Sequence, residues 1–427
     1  MNLWPLLPFL GLLHGVQSQE CTPPNELSWF NVTDQRYIDA LSSSCTTMIG
    51  ALMIATNFTG PFILPNITNI TGEIMLDWWD FKPTPNVTVI DLPDLQYMQS
   101  DIQVGSLANT LERISLPKLE YLRSMHLKQY IDHAKLDFSG LKKADRLFLR
   151  GNYSKVSFDS LQNVTRGLNI CNQEVCSKGF SYKGPGPRRA MEVSLPNLEV
   201  AQEVLIAGDV SELIAPKLST AELSVHSANT SVQFHFPHLT HCDDWLDLEG
   251  RITGLSMPRL QDVAGIMKIR SSYPLNVTLP ATESHNVILE GQIEDVSMPN
   301  LEKFETLRIE SDLPLDCDRV VDRINETSIE PHSKYSLGCK STYEKPSGGL
   351  ATKAKIAIGV VVGVVGLGIV VGGIFFWKKK RVTKKKTPSE VELTTFATGQ
   401  QREGPGQGPG EAEVVHDPPP PYTADRG

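Results

Sequence analysis

The sequence lacks the motifs that mark the common catalytic and metal sites. It contains no Gly-x-Ser-x-Gly, no His-Glu-x-x-His, no phosphate-binding glycine loop and no cysteine–histidine spacing typical of zinc. Its formal net charge is only −9 over 427 residues, and the repeat region has no basic stripe that would bind nucleic acid. These absences predict a protein that is not an enzyme and has no cofactor, no metal and no nucleic-acid partner.

One class of enzyme stays open as an alternative, because a polysaccharide-cleaving β-helix presents clustered acids on neighbouring turns. The nearest feature of this kind is the group Asp243, Asp244 and Asp247, whose spacing is interpreted as the polar positions of a single rung. The histidines are scattered, at positions 226, 235, 238, 241 and 285, with His238 and His241 expected to face solvent or a strand edge. A glycan-active enzyme is therefore kept only as an alternative.

The chain has only seven cysteines, an odd number that leaves one without a disulfide partner within the chain. Cys242 lies three residues after Leu239, where other repeats place apolar residues, which favours a small buried thiol over a reactive or intermolecular one. The remaining six cysteines allow fifteen connectivities. Nearness in sequence favours three pairs, of which the first and last flank the repeats: Cys21 with Cys45, Cys171 with Cys176, and Cys317 with Cys339.

What the sequence does contain is a recurring phrase, apolar-Pro-x-Leu. Apolar residues return about three, six and eight positions after its leucine, and the last two alternate with polar residues as in a half-buried strand. Proline suits a corner between strands because it fixes φ and has no N–H for a ladder. The clearest copies and variants are Leu116–Leu119, Leu195–Leu198, Met298–Leu301, Ala215–Pro216, Phe236–Pro237 and Met257–Pro258.

The phrase repeats about every twenty residues, which is the signature of a solenoid whose turns bury their apolar faces on one another. We count about eleven turns, each with a strand after the corner, and a weak copy at Pro280 where Thr282 takes the place of the leucine. The predicted fold class is all-β, a leucine-rich-repeat-like β-solenoid. Unrelated proline turns in another kind of all-β protein are the alternative.

The N-terminal part of the chain predicts secretion. Residues 1–18 are typical of a signal peptide, although no basic residue precedes the apolar stretch and two prolines interrupt it. Ten Asn-x-Ser/Thr sites follow within 19–345, which supports an extracellular domain whose glycans point away from the solenoid. The predicted N-glycosylation sites are Asn31, Asn57, Asn66, Asn69, Asn86, Asn152, Asn163, Asn229, Asn276 and Asn325.

Irregular stretches lie at the ends of the repeats and within them. A short capping helix is expected around Tyr37–Leu41, and a C-terminal cap over 313–345. Asp77–Asp80 places two tryptophans between two acids, residue types that bind sugars, but in a strand the acids would face opposite sides, which favours ordinary packing. The Gly/Pro-rich run Lys183–Arg189 marks a loop inserted at 159–196, either for partner binding or neutral.

The C-terminal part departs from the repeats. After a linker at 346–355, residues 356–377 carry no charge, and a lysine- and arginine-rich run follows, which predicts a transmembrane helix of a type I single-pass protein. Gly-x-x-x-Gly pairs within this span would permit a homodimer. The polar segment 378–427 is predicted to be a disordered cytoplasmic tail, with its basic start against anionic lipid.

A short motif near the C-terminus predicts a partner. Pro419, Pro420 and Tyr422 match the PPxY ligand of WW domains, which bind a pre-formed polyproline helix on aromatic grooves. The predicted partner is a WW-domain ubiquitin ligase or its adaptor. The alternative is a plain proline-rich terminus.

Taken in order, the signal peptide, Cys21 and Cys45, the Leu-Pro-x-Leu repeats, the dense sequons and the terminal cysteine pair resemble a known family. This is the fungal cell-wall-organisation family of receptor L-domain-like glycoproteins, which are usually GPI-anchored. The resemblance covers about 19–345. The chain departs from the family where 50 residues follow Trp377, because a GPI signal ends in its hydrophobic tail.

The resemblance implies a non-catalytic, receptor L-domain-like solenoid that supports cell-wall organisation and integrity. We expect it at the plasma membrane with its ectodomain facing the wall, in contact with wall polysaccharide or another surface protein. The alternative is a signalling receptor or wall-stress sensor.

Overall fold

The described part of the chain is a stack of parallel strands. The computed structural model describes residues 19–24, 28–75, 85–105, 110–132, 134–172, 189–328 and 337–342. All of them fall within one structural unit, Met1–Pro346, and the other unit, Ser347–Gly427, has no described residue.

In chain order, the first twelve strands are Glu20–Cys21 (β1), Trp29–Val32 (β2), Thr47–Met48 (β3), Ala51–Ile54 (β4), Thr59–Ile63 (β5), Asn69–Ile70 (β6), Ile74–Met75 (β7), Asn86–Asp91 (β8), Tyr97–Val104 (β9), Arg113–Ser115 (β10), Tyr121–Asp132 (β11) and Lys135–Asp137 (β12). The remaining strands are Lys143–Asn152 (β13), Lys155–Ser157 (β14), Asn163–Cys171 (β15), Met191–Ser194 (β16), Val200–Gly208 (β17), Val210–Ile214 (β18), Thr220–His235 (β19), His241–Cys242 (β20), Trp245–Ser256 (β21), Asp262–Thr278 (β22), Glu283–Ser297 (β23), Thr306–Ser311 (β24) and Leu337–Ser341 (β25). Two helices complete the described elements, Gln35–Ser44 (α1) and Cys317–Thr327 (α2).

These strands form one long sheet and two short ones. Eighteen strands make the long sheet, β5, β8, β10 and β12 make a second sheet, and β14, β16 and β18 make a third. Every pairing between described strands is parallel. From β9 to β18, each turn contributes two strands, one after the corner and one before the next, whereas β19, β22 and β23 each run from one corner to the next as a single strand. The sequence predicted only the strand after the corner.

The Leu-Pro-x-Leu phrase forms the corner that leads into the long sheet. At the copy before β11, the N–H of Leu119 donates to the carbonyl of Leu116 at 3.2 Å, the hydrogen bond of a β-turn with Pro117 at its second position. The motif leucine is fully buried at this corner. The same bond closes later corners, at Leu198, Leu218, Leu239, Leu260 and Leu301.

The copy at Pro280 differs from the prediction. The N–H of Thr282 donates to the carbonyl of Gln261 at 2.7 Å, the inter-turn bond that the residue after the motif leucine makes elsewhere. Ala281, 2% exposed, therefore occupies the leucine position, and this corner is one residue shorter. The sequence interpretation of Thr282 as the leucine substitute is wrong, because the deletion lies inside the corner.

The core is a continuous column of alternate apolar side chains from each turn. In β11, Leu122, Met125 and Leu127 are fully buried. Cys242 is also fully buried and unpaired, opposite Val263 of the next turn, as the repeat register predicted. The β-solenoid of about eleven turns is confirmed.

A second corner, at the far end of the long sheet, alternates glycine with serine from one turn to the next. Gly250 and Gly291 have φ of +142° and +93°, values that favour glycine. The register sets Gly250 opposite Ser271, and Ser271 opposite Gly291. Ser271 and Ser311 are buried and donate their hydroxyls to backbone carbonyls one turn back. The glycines leave room for the serine backbone of the neighbouring turn, so turns stack closely here.

Each end of the stack has a short helix and a disulfide. In α1, Asp34 caps the helix by accepting the N–H of Tyr37 at 3.0 Å, and Ile38 packs into the core. The predicted capping helix and the predicted Cys21–Cys45 bond are both present. The other predicted end bond, Cys317–Cys339, joins the first residue of α2 to β25.

The predicted fold class needs one correction, the transmembrane helix. Helices α1 and α2 have 10 and 11 residues. At about 1.5 Å per residue, neither reaches the ~30 Å of a bilayer core. No helix among the described residues is long and apolar enough to cross a membrane. The predicted span at 356–377 lies outside those residues. The corrected class is a mostly-β solenoid with two short helices.

Replacing Gly250 with alanine is expected to destabilise the protein. A Cβ at this position would lie 2.4 Å from the carbonyl oxygen of Ser227. Backbone strain of this kind costs about 1–3 kcal/mol before the clash is counted. Gly338→Ala is the matched control, since no atom lies within 4 Å of the equivalent Cβ. Urea midpoints measure both variants, and equal midpoints would contradict the close packing of this corner.

Candidate functional site: a histidine and carboxylate cluster on the long sheet

The predicted N-glycosylation sites all lie in the described part of the chain, but not all face outward. Asn69 and Asn163 are half-buried, and Asn152 is 3% exposed. The expectation that every glycan points away from the solenoid is therefore wrong for Asn152, because its side chain lies inside the packed turn. The exposed sites are Asn31, Asn57, Asn66, Asn86, Asn229, Asn276 and Asn325.

Several predicted sites fall outside the described residues. One of them is Cys176, the predicted partner of Cys171, which is itself disulfide-bonded. The others are the 1–18 signal peptide, the Asp77–Asp80 group, the Lys183–Arg188 part of the inserted loop, the 346–355 linker, the 356–377 span, the 378–427 tail, and Pro419, Pro420 and Tyr422 of the WW-domain ligand.

The densest chemistry in the described residues is a set of histidine–carboxylate pairs that join adjacent turns. His226 of β19 contacts Asp247 of β21, and His241 of β20 contacts Asp262 of β22. A third pair, His285 with Glu305, has a distance of 3.1 Å between Nε2 and Oε2. The sequence analysis regarded these histidines as scattered. The solenoid brings each one beside an acid of the following turn.

The pair His226–Asp247 is the most enclosed of the three. Its side chains are 15% and 12% exposed, against 44% and 37% for His241–Asp262. His226 Nε2 lies 3.2 Å from Asp247 Oδ2 and 3.1 Å from the hydroxyl of Ser224, two residues earlier on the same strand. Ser224 and His226, two successive outward residues of β19, therefore both lie beside Asp247 on the neighbouring strand.

Two cations of the next strand complete this cluster. Lys268 Nζ lies 3.6 Å from Asp247 Oδ1 and 3.7 Å from Glu249 Oε2, and Arg270 lies 3.4 Å from Glu249. Arg270 also pairs with Glu290 on β23, so that charges of opposite sign alternate across successive turns. Asp247 was interpreted from sequence as an ordinary polar position, but it is largely buried within this network.

The network holds Asp247 as an anion. Burial raises the pKa of a carboxyl group, but hydrogen bonding and electrostatic interaction with His226 and Lys268 outweigh burial here, so the pKa of Asp247 is lowered. The carboxylate is therefore charged throughout the neutral range.

Ser224, His226 and Asp247 are the residue types of a hydrolytic triad, but their geometry does not match one. In a triad the two imidazole nitrogens divide the work, one facing the nucleophile and the other facing the acid. Here the hydroxyl and the carboxylate both contact Nε2 of His226. The imidazole cannot accept a proton from Ser224 at one nitrogen while Asp247 orients it through the other.

A divalent cation is the other chemistry that these residues permit. His226, Asp247 and Glu249 each offer one ligand atom, and these atoms lie within 4.8 Å of one another. One imidazole and two carboxylates form a ligand set that zinc accepts. However, Lys268 already lies beside both carboxylates, so a metal ion would have to displace its ammonium group. The charges of the cluster are balanced by the chain itself.

The signal that sequence analysis missed was the spacing. His226 and Asp247 are 21 residues apart, as are His241 and Asp262. This separation equals one turn of the regular part of the solenoid, so the period already placed each histidine beside an acid.

The fold and this cluster define a class, a disulfide-capped parallel β-solenoid with a charge-balanced polar face. Comparison with known proteins adds no family to this class, since no family model, no curated protein and no solved structure matches the chain. The resemblance to fungal cell-wall glycoproteins stays a prediction.

Asp247→Asn is expected to lower the free energy of unfolding by about 1–3 kcal/mol at neutral pH, because the hydrogen-bonded charge is lost from a largely buried site. The folded-state pKa of Asp247 is lowered. Its contribution is therefore present above the unfolded carboxyl pKa, about 3.9, and is lost as pH falls through the folded value. Wild type and variant should converge in acid.

Asp262→Asn, in the more exposed pair, is the control for Asp247→Asn and is expected to cost under about 1 kcal/mol. Urea unfolding of both variants at several pH values measures the difference. A constant gap between wild type and Asp247→Asn down to acid pH would contradict the role of the charged carboxylate.

Glycopeptide mass spectrometry is expected to find Asn152 unmodified. A glycan on this buried side chain would have to separate the turns that enclose it. Asn152→Gln should leave the total glycan mass unchanged, whereas Asn276→Gln, at an exposed site, should lower it by one glycan. A glycosylated Asn152 peptide would show that this turn packs differently.

Proposed function

We propose that this chain is a non-catalytic, glycosylated solenoid that works outside the cytosol as a structural component of the cell surface and supports cell-wall organisation. The observation that carries the proposal is the combination of a disulfide at each end of the stack with seven exposed sequons along it. Disulfides persist in oxidising compartments, and sequons matter only in the secretory pathway.

The polar face supports a scaffold rather than a catalyst. The acids of the cluster around Asp247 are paired with Lys268 and Arg270, so none stands ready as a general acid beside a second, free carboxylate. A pocket lined mostly by polar residues lies at the N-terminal end, far along the chain from this cluster. A solenoid without a reactive group can still present a long, regular surface to a wall polymer or to another surface protein.

Two other functions stay as alternatives. A signalling receptor or wall-stress sensor would use the same extracellular surface. A glycan-active enzyme would need the His226 cluster to act on a bound saccharide. The WW-domain partner proposed for Pro419–Tyr422 stays a prediction from sequence.

The direct test incubates the purified chain with insoluble glucan, chitin and mannan. We expect no soluble oligosaccharide to be released, whether or not the protein sediments with one of these polymers. Wild type and His226→Ala should give the same result, because the imidazole serves packing and charge balance.

Release of oligosaccharide by wild type that is lost in His226→Ala would overturn the proposal in favour of an enzyme. A strain lacking the chain should also be more sensitive to wall-perturbing agents. Unchanged sensitivity would remove the role in wall organisation.

A further inference from the structure

A polar cleft of about 410 Å³ lies at the N-terminal end of the solenoid. The end of α1 and the residues after it form one side, from Ser42 to Thr46, and the next two corners form the other. Every lining residue except Cys45 carries a hydroxyl, amide or carboxylate group, among them Asn66, Asp94 and Gln96. The cleft therefore lies along the junction between the disulfide-bonded cap and the two turns that follow, where Thr46, Thr68 and Gln96 are joined by backbone hydrogen bonds.

Asn66 is the sole sequon asparagine among the residues that line this cleft. It is the variable residue of its Leu-Pro-x-Ile corner, and its φ of +65° places it in the left-handed region, which asparagine tolerates. Its backbone N–H donates to Asp94 Oδ2 at 3.0 Å, and its side-chain Nδ2 donates to the carbonyl of Ser42 at 3.2 Å. The two bonds fix the direction of the side chain.

Nδ2 is the atom that N-glycosylation modifies. The modification replaces one of its two hydrogens, so the glycosylated amide keeps one N–H for the carbonyl of Ser42. Because Asn66 lines the cleft and its Nδ2 lies at the carbonyl of Ser42, a sugar attached at this atom would start beside hydroxyl and amide groups that can both donate and accept hydrogen bonds.

Asp94 adds a fixed acceptor to the cleft. Its carboxylate accepts Lys118 Nζ at 2.8 Å as well as the N–H of Asn66, and these bonds lower its pKa despite partial burial. The charged form is therefore present at neutral pH, and its remaining lone pairs suit the hydroxyl or acetamido N–H of an N-acetylglucosamine residue.

We propose that Asn66 carries an N-glycan whose first N-acetylglucosamine residues lie in this cleft and bind the N-terminal cap to the following two turns. The inference rests on the proposed function only in requiring passage through the secretory pathway. The glycan at this site is then a structural part of the cap, whereas the glycan at Asn57, an exposed sequon that does not line the cleft, is not.

The experiment compares Asn66→Gln with Asn57→Gln in protein made by a glycosylating secretory host and by an oxidising host without N-glycosylation. Asn66→Gln is expected to lower the thermal midpoint by an additional ~2–4 °C in the glycosylating host relative to the other host. The loss of stability from altering the Asn66 hydrogen bonds is the same in both hosts, so it cancels in the comparison. In both hosts, Asn57→Gln should have the same thermal midpoint as wild type.

A second measurement needs no variant. The native glycosylated protein is treated with an endoglycosidase that leaves one N-acetylglucosamine on each site, and glycopeptides are followed over time. The glycan on Asn66 should be trimmed several-fold more slowly than the glycan on Asn57, because the cleft shields its first residues.

The outcomes separate this inference from the proposed function. Equal trimming rates together with a host-independent effect of Asn66→Gln would overturn the inference. So would an unmodified Asn66 in protein whose other sequons carry glycans, and in both cases the proposed function would stand. Absence of glycan from every sequon of the secreted chain would overturn both.

Discussion

Every part of this structure depends on contact between one turn and the next. A single turn buries little, since its leucines and valines are covered only by their equivalents one turn away. The parallel backbone ladder and the Leu-Pro-x-Leu corner fix the distance between turns. At the opposite corner, glycines allow neighbouring turns to approach closely, as at Gly250 against Ser227. Such a stack has two open ends. Helices α1 and α2, each tied by a disulfide, cover them, so the cysteines serve the places where no neighbouring turn exists.

The same contact between turns determines the surface chemistry. Outward residues at equivalent positions lie side by side, so a histidine meets an acid when the two are one turn apart, as with His226 and Asp247. Lys268 then follows Asp247 in the next turn and balances its charge. The polar face is built like the core, because residues at equivalent positions of successive turns stack on one another. Its acidic and basic side chains form ion pairs. This arrangement of paired charges is the basis for proposing a scaffold rather than an enzyme.

The sequence was most informative where the period alone decides the structure. Proline corners, the core position of Cys242 and the two end disulfides all follow from counting residues. Side-chain pairs across turns are harder to predict, because one inserted or deleted residue moves a side chain to the other face of a strand. The shortened corner at Pro280 is such a case. The pairing of His226 with Asp247 is not, because their separation of 21 residues equals one regular turn, and counting that period would have placed them side by side. Helix α2 was missed because its apolar signal is only Val320, Val321 and Ile324, of which Val320 and Ile324 are buried.

The structure is a solenoid that is closed by a disulfide at each end and keeps one thiol in its core. A peptide map of the secreted, non-reduced protein tests it most directly. We expect linked peptides for Cys21 with Cys45 and for Cys317 with Cys339, and a Cys242 thiol that is alkylated only after unfolding, since burial raises its pKa to about 12. A disulfide that contains Cys242, or end cysteines that are alkylated without reduction, would contradict it.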